Sequence, residues 1–201
     1  MLKYFDFNAS APTASALIQQ CKKISPEAFD SLFYSFSNAF SFNKTLKGYD
    51  PIAVDGSDIY IPRNPKDFDT YRITDQYNKG FNMIHLNAAY HLLSHLYTDV
   101  ILQPVNHINE YIAMCDIIDH YSSANPTRKP LFIAGRGFVS FNVFAHAIEN
   151  NAYFLVRARE ANPRSIYYIS FRIVSFVLPN GNIEIVYTNL PKEDFSTEEL
   201  R

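Results

Sequence analysis

The chain has 201 residues, of which 47% are apolar and 19% charged, and its formal net charge is −2. That composition is ordinary for a globular protein, and a pI near 6.3 argues against a self-sufficient DNA-binding module, which usually sits above about 9, while leaving room for a local basic patch. No apolar run approaches the roughly 20 residues of a membrane-spanning helix, and Met1-Leu2-Lys3-Tyr4-Phe5-Asp6 lacks the apolar core of a signal peptide, so a soluble, cytoplasmic protein is expected.

In chain order, Thr13 to Lys23 reads as a short helix capped by Thr13 or Ser15. Ser25 followed by Pro26 opens a second helix. Phe29, Leu32, Phe33, Phe36 and Phe40 recur along it at helical spacing and predict a buried aromatic face. Asn43 to Tyr49 is a polar link.

The run Ile52-Ala53-Val54 predicts a buried strand ending at Asp55. Gly56 would turn the chain, and Ile59 and Ile61 would begin a second strand. Two readings stay open for Asp55: an ordinary Asp-Gly turn, or a carboxylate presented at a strand tip for metal binding. The following loop, Pro62 to Asp69, carries Arg63 and Lys66 as candidate phosphate contacts, against a plain solvated loop.

Met83 to Tyr90 and Tyr97 to Gln103 predict a strand pair ended by Pro104. Between them His91 and His95 are four apart, as in a zinc-protease helix, but the Glu after the first His is missing and the metal reading is rejected. Asn106 would cap a helix to about Tyr121, with Ile108, Tyr111, Ile112, Cys115 and Ile118 on its buried face. Pro130 to Ala134 reads as a short buried strand, turned by Gly135-Arg136-Gly137, and Ser140 caps a helix carrying Phe141, Phe144, Ala145 and Ile148. Tyr153 to Val156 is the next strand, which gives a mixed α/β protein with a strand–helix–strand crossover.

Tyr168 to Val177 and Ile183 to Thr188 form a hairpin through Asn180-Gly181. Ser196 and Glu199 then match a capping box. A helix opening so close to Arg201 leads to the expectation that the sequence is cut off. Cys21 and Cys115 read as buried apolar groups rather than a disulfide, and the sequons at Asn8 and Asn43 carry no weight without a secretory signal. The six histidines show no triad-like pattern, so core or surface roles are expected for each.

Four stretches carry a resemblance: Ala53-Val54-Asp55-Gly56-Ser57, Gly80 to Ala88, Phe132-Ile133-Ala134-Gly135-Arg136-Gly137-Phe138, and Tyr187-Thr188-Asn189-Leu190-Pro191. In this order they resemble the DDE transposases of bacterial insertion sequences, in the group with a β-strand insertion in an RNase H-like catalytic domain. Ser15-Ala16, Gln19-Gln20 and Pro26 to Phe29 resemble the segment before that domain. The resemblance implies an RNase H-like mixed sheet flanked by helices, with a shortened β-rich insertion near the C-terminus. It divides the chain into a helical segment (1–49), a catalytic-type domain (50–157), and an insertion remnant with the start of the next helix (158–201).

In that family three acids hold two divalent metals, usually magnesium, for cleavage and strand transfer of transposon-end DNA. The resemblance makes Asp55 the first acid, both catalytic and metal-binding. The second acid follows a strand in a motif Ala-Asp-Arg-Gly, and here that position is Gly135. The third is a Glu on a Trp-bearing helix that would lie beyond Arg201, and this sequence has no Trp. If the chain is a non-catalytic DNA-binding remnant of that family, Arg63, Lys66, Arg136, Arg157 and Arg159 would contact phosphates, with Arg63, Lys66 and Arg136 the leading candidates, and the implied assembly is a homodimer at a synapsed pair of ends. With two of three acids missing, an inactive or truncated transposase is expected, or a non-catalytic DNA-binding or regulatory remnant of one.

Overall fold

Eight strands form one mixed sheet in the computed structural model, which describes residues 13–40, 44–75, 79–159 and 169–201. The chain divides into two compact units, Met1–Ser41 and Phe42–Arg201. The two sequons, and the stretch Arg157 to Tyr168 to which the resemblance shortens the insertion, fall wholly or partly outside the described residues.

The first unit holds α1 (Ala14–Cys21) and α2 (Pro26–Asn38). The Thr13 hydroxyl accepts from the Ala16 amide at 3.1 Å, which makes Thr13 the cap of α1. Pro26 opens α2 as expected, but its aromatic face is not buried: Phe29, Leu32, Phe36 and Phe40 are exposed. Helical spacing specified the helix, while burial requires a partner, and among the described residues of this unit the other helix is the eight-residue α1. Cys21 is likewise exposed, Cys115 is half-buried, and both thiols are free.

The second unit is built on β1 (Asp50–Ile61), β2 (Tyr71–Arg72), β3 (Phe81–His91), β4 (Leu96–Pro104), β5 (Pro130–Ala134), β6 (Tyr153–Ala158), β7 (Arg172–Val177) and β8 (Ile183–Thr188). The sheet order is β2-β3-β1-β5-β6-β8-β7, with β4 also paired to β3. The antiparallel run β4-β3-β1 joins β5 and β6, which are parallel to β1. This is the mixed α/β, RNase H-like arrangement that the resemblance implied. The β7–β8 hairpin turns at Gly181, whose φ of 82° suits glycine, and extends the same sheet through β6.

Two helices, α3 (Glu110–Ala124) and α4 (Phe141–Glu149), supply the core on one face of the sheet. Met114, Ile117, Ile118 and Tyr121 of α3 and Val143, Phe144 and Ala147 of α4 pack with Ile52, Val54, Phe132, Ala134, Phe154 and Val156. A second cluster, Tyr49, Leu131, Leu190 and Phe195, involves the alternate strand residues and brings the segment after β8 against the other face.

Two expectations are overturned in this unit. First, Asp55-Gly56 is not a turn. The ladder with β3 runs through it without a break, Asp55 opposite Ala88, Gly56 opposite Asn87 and Ser57 opposite Leu86. Gly56 serves close approach instead: a Cβ there would lie 2.5 Å from His85 Nε2 and 2.7 Å from Glu110 Oε1. Second, the buried face of α3 is rotated from the predicted one. Asn109, not Asn106, is the cap, its carboxamide oxygen accepting from the Ile112 amide at 3.1 Å. Ile108, Tyr111 and Ile112 are exposed, and Ala113, Met114, Ile117, Ile118 and Tyr121 form the packed stripe. Asn106 instead ties the loop after β4 to the carbonyls of Phe68 and Tyr71. No helix among the described residues is long and apolar enough to cross a membrane.

Candidate functional site at the strand tips

The register of the parallel strands sets the geometry. Val54 of β1 pairs with Ala134 of β5, and Ala134 with Val156 of β6. One step further along each chain places Asp55, Gly135 and Arg157 in a row across three neighbouring strands. Alternation puts them on the face of Ile133 and Leu155, opposite to α3 and α4. Asp55 is exposed, and its carboxylate accepts from the Gly56 amide at 3.0 Å. Gly135 has φ −75°, an ordinary value for any residue, and a Cβ added to it would meet no atom within 4 Å.

Arg157 faces Glu184 of β8. Its Nε donates to Oε1 at 2.6 Å and its Nη2 to Oε2 at 2.7 Å, while Arg136 Nη2 reaches Oε2 at 3.5 Å. Glu184 is 6% exposed. The Arg157 guanidinium, above all, holds the Glu184 carboxyl below the usual carboxylate range, against the opposing effect of burial.

On the opposite face, His85 lies over Gly56 between two carboxylates. Nδ1 is 2.7 Å from Asp58 Oδ1 and Nε2 is 3.2 Å from Glu110 Oε1. Asp58 and His85 are direct partners in the β1–β3 ladder, and Glu110 opens α3. Both ring nitrogens are engaged, so the arrangement ties α3 to the sheet and leaves neither nitrogen turned to a ligand. Other histidines also meet carboxylates: His120 to Asp99 and His146 to Asp119, both at 2.8 Å, and His107 to Asp69 at 3.4 Å. These pairings join helix to strand, helix to helix and loop to loop between residues that lie far apart in sequence.

The remaining sequence candidates lie in the loop after β1. Arg63 donates through Nε and Nη2 to the Lys79 carbonyl at 3.0 and 2.7 Å, and its guanidinium lies 5.6 Å from the Tyr71 ring centroid. It therefore closes its own loop against the start of β3. Lys66 is exposed, with its backbone amide bonded to the Asn64 side chain. The structure thus brings Asp55, Gly135 and Arg136 together where the β1–β5 ladder ends, Asp55 within the longer β1 and Gly135 and Arg136 just past the tip of β5, while Arg63 and Lys66 belong to the separate loop. Glu184 and Arg157 complete the tip cluster. Glu184 was legible only as a charged residue at an inward position of an alternating strand.

A pair of divalent metals fits poorly here. Such a pair needs several carboxylates converging on ions roughly 3.5–4 Å apart. Asp55 has Gly135 beside it, and Glu184 lies three strand spacings away from β1, about 14 Å, with its oxygens held by arginines. Among the described residues no group of three or more His, Cys, Asp or Glu side chains is placed to hold a metal ion.

A piggyBac transposase, solved as a synaptic complex with hairpin DNA, matches with a TM-score of 0.45 and 9% identity over 70% of this chain and 33% of its own. This chain therefore spans about a third of that protein. An endonuclease V from Bacillus subtilis matches with a TM-score of 0.29 and 12% identity, over 83% of this chain and 76% of its own. No curated protein matches. The family model for the transposase DDE domain matches residues 46–195, from the turn before β1 to the end of the segment packed on Tyr49. With that match over about three quarters of its length, the chain belongs to the transposase DDE domain family.

Proposed function

We propose that this chain is a transposase-type domain that binds DNA and does not by itself cleave or join it. One observation carries the reading: one residue past the last β1–β5 pair, Val54 with Ala134, stand Asp55 and Gly135, so the first acid has no second beside it. Ligands of a two-metal site act as a unit, and loss of one removes most of the activity. Magnesium would then find a single exposed carboxylate, Asp55, in place of a cage. A nicking assay on supercoiled plasmid with magnesium or manganese tests this. No metal-dependent nicking is expected, and nicking that disappears in Asp55→Ala would overturn it.

The DNA-binding half of the reading rests on membership of a transposase family and on Arg136 at the strand tips, with Arg63 and Lys66 in the adjoining loop as further candidates. Bound phosphates release counterions, so affinity for a DNA duplex should fall steeply with salt. Affinity that is absent, or insensitive to salt, counts against it. The reading places the protein with DNA in the cytoplasm, and a homodimer bridging two DNA ends is its assembly form. A single-chain mass by light scattering, with and without duplex, would remove the dimer from it.

A further inference from the structure

The Arg157–Glu184 contact differs from an ion pair that only ties two strands. Glu184 is almost wholly buried, yet the Arg157 and Arg136 side chains are 55% and 43% exposed. Arg157 uses Nε and Nη2 on Glu184, and Arg136 uses Nη2. Arg157 Nη1 and Arg136 Nε and Nη1 have no partner among the described residues. A guanidinium carries five donors in a rigid fork, so each arginine keeps donors for a second acceptor while the first holds it in place. One carboxylate against two guanidinium groups also leaves a net positive charge.

The position of the pair matters as much as its charge. Ala134 pairs with Val156 of β6 and with Val54 of β1, so Gly135, Arg157 and Asp55 each stand one residue past these last paired positions. At about 4.8 Å per strand the backbones of residues 55 and 157 lie roughly 10 Å apart. The space above Gly135 is open, with no atom within 4 Å of where a Cβ would stand. That gap has the Asp55 carboxylate on one side and the oriented guanidinium pair on the other.

We propose that Arg157 and Arg136, oriented by the buried Glu184, form a phosphodiester-binding pair over the Gly135 position. Glu184 is a positioning residue: it sets the arginine forks and touches no phosphate. The proposal rests on the DNA-binding reading above and gives it a specific surface.

The test is a titration of the full chain against a short fluorescein-labelled DNA duplex, by anisotropy, over a series of potassium chloride concentrations. Arg157→Ala and Arg136→Ala should each weaken binding and each lower the slope of log K against log salt by about 0.9, the value for one lost phosphate contact. Arg136 makes only the longer contact with Glu184, so its removal is expected to leave the fold intact; circular dichroism melting checks this. Glu184→Gln should also weaken binding although it removes a negative charge, because an amide accepts from the guanidinium fork through one oxygen in place of two. Unchanged slopes in folded Arg136→Ala and Arg157→Ala overturn the site while leaving DNA binding elsewhere on the chain intact. A gain in affinity for Glu184→Gln overturns the positioning role. Wild-type protein that binds no duplex at any salt overturns both this proposal and the reading beneath it.

Discussion

Asp55 and Gly135 occupy adjacent positions on parallel strands, one residue beyond the paired Val54 and Ala134. The position of a second carboxylate is present in the fold although the carboxylate is not. Gly135 has an ordinary backbone conformation and open space around its missing side chain. Gly135→Asp should therefore fold with a stability change within about 0.5 kcal/mol. It also sets two carboxylates one strand spacing apart. Manganese at about tenfold its Kd would then add ~1.4 kcal/mol to stability, or about 3–5 °C in Tm, relative to metal-free variant. Differential scanning fluorimetry of the variant and wild type, with and without manganese, checks both parts. Equal metal responses in the two proteins would show that the tips do not converge.

Gly56 gives the opposite case, a glycine that has no room. Its β-strand backbone would accept other residues, but a Cβ would meet His85 Nε2 at 2.5 Å and Glu110 Oε1 at 2.7 Å. Gly56→Ala should destabilise the protein by about 1–3 kcal/mol through overpacking. Combining it with His85→Ala should recover part of that loss, since the clash disappears with the ring. Urea unfolding of the two single variants and the double variant measures the coupling. Additive losses would mean that His85 and residue 56 do not meet.

What could be read from sequence follows from which signals are local. The strand Pro130–Ala134, the Asn180-Gly181 hairpin and the Ser196–Glu199 capping box each depend on a few adjacent residues, and each is present. Asp55-Gly56 misled because Asp-Gly favours turns locally, whereas here a distant imidazole demands the glycine. The α3 stripe misled because Ile108, Tyr111 and Ile112 outweigh Ala113 and Met114 in hydrophobicity, and a cap three residues later rotated the helix. At the candidate site, Asp55 and Gly135 were recognisable from the resemblance. The role of Glu184 was not, because it needs the register of β6 on β8, the far strand of a hairpin whose pairing partner no local pattern fixes.

At the start of β1, Asp50 supplies a pH dependence. It is 1% exposed; Arg128 donates to both of its oxygens, the Tyr121 hydroxyl donates at 3.0 Å, and His91 stands 3.9 Å away. Burial is the largest single influence and pushes its pKa up, but the neighbouring His91 ring, the hydrogen bonds from Arg128 and Tyr121, and the Arg128 charge together hold it below the usual value. A depressed folded-state pKa stabilises the protein above the unfolded-state value, near 4, and that contribution is lost as pH falls through the folded one. Asp50→Asn should cost about 3 kcal/mol at neutral pH, toward the lower end for a broken buried pair because Arg128 keeps partial access to water. It should also flatten the loss of stability below about pH 4. Thermal melts from neutral to acid pH compare the two proteins. An acid limb of unchanged steepness would remove Asp50 as its cause.

The segment after β8 is held by packing rather than by charge, and two variants separate the contributions. Phe195 is 4% exposed, and its ring meets Tyr49 edge-on at 5.4 Å between centroids. The Tyr49 hydroxyl donates to Asp194 at 2.6 Å, and Arg172 Nη1 donates to the carbonyls of Leu190 and Phe195 at 3.1 and 2.9 Å. Glu199 pairs with Lys47, whose ammonium holds the carboxyl down to about 2, but both side chains are nearly half exposed and water screens the pair. Phe195→Ala should therefore cost about 3–5 kcal/mol, as for an aromatic removed from a filled core site. Glu199→Gln should leave the unfolding midpoint almost unchanged at neutral pH. Urea denaturation distinguishes the two through the midpoint at constant m-value. A midpoint unmoved by Phe195→Ala would mean that the segment is not docked on β5 and Tyr49, and a large loss in Glu199→Gln would transfer the docking to the Lys47 pair.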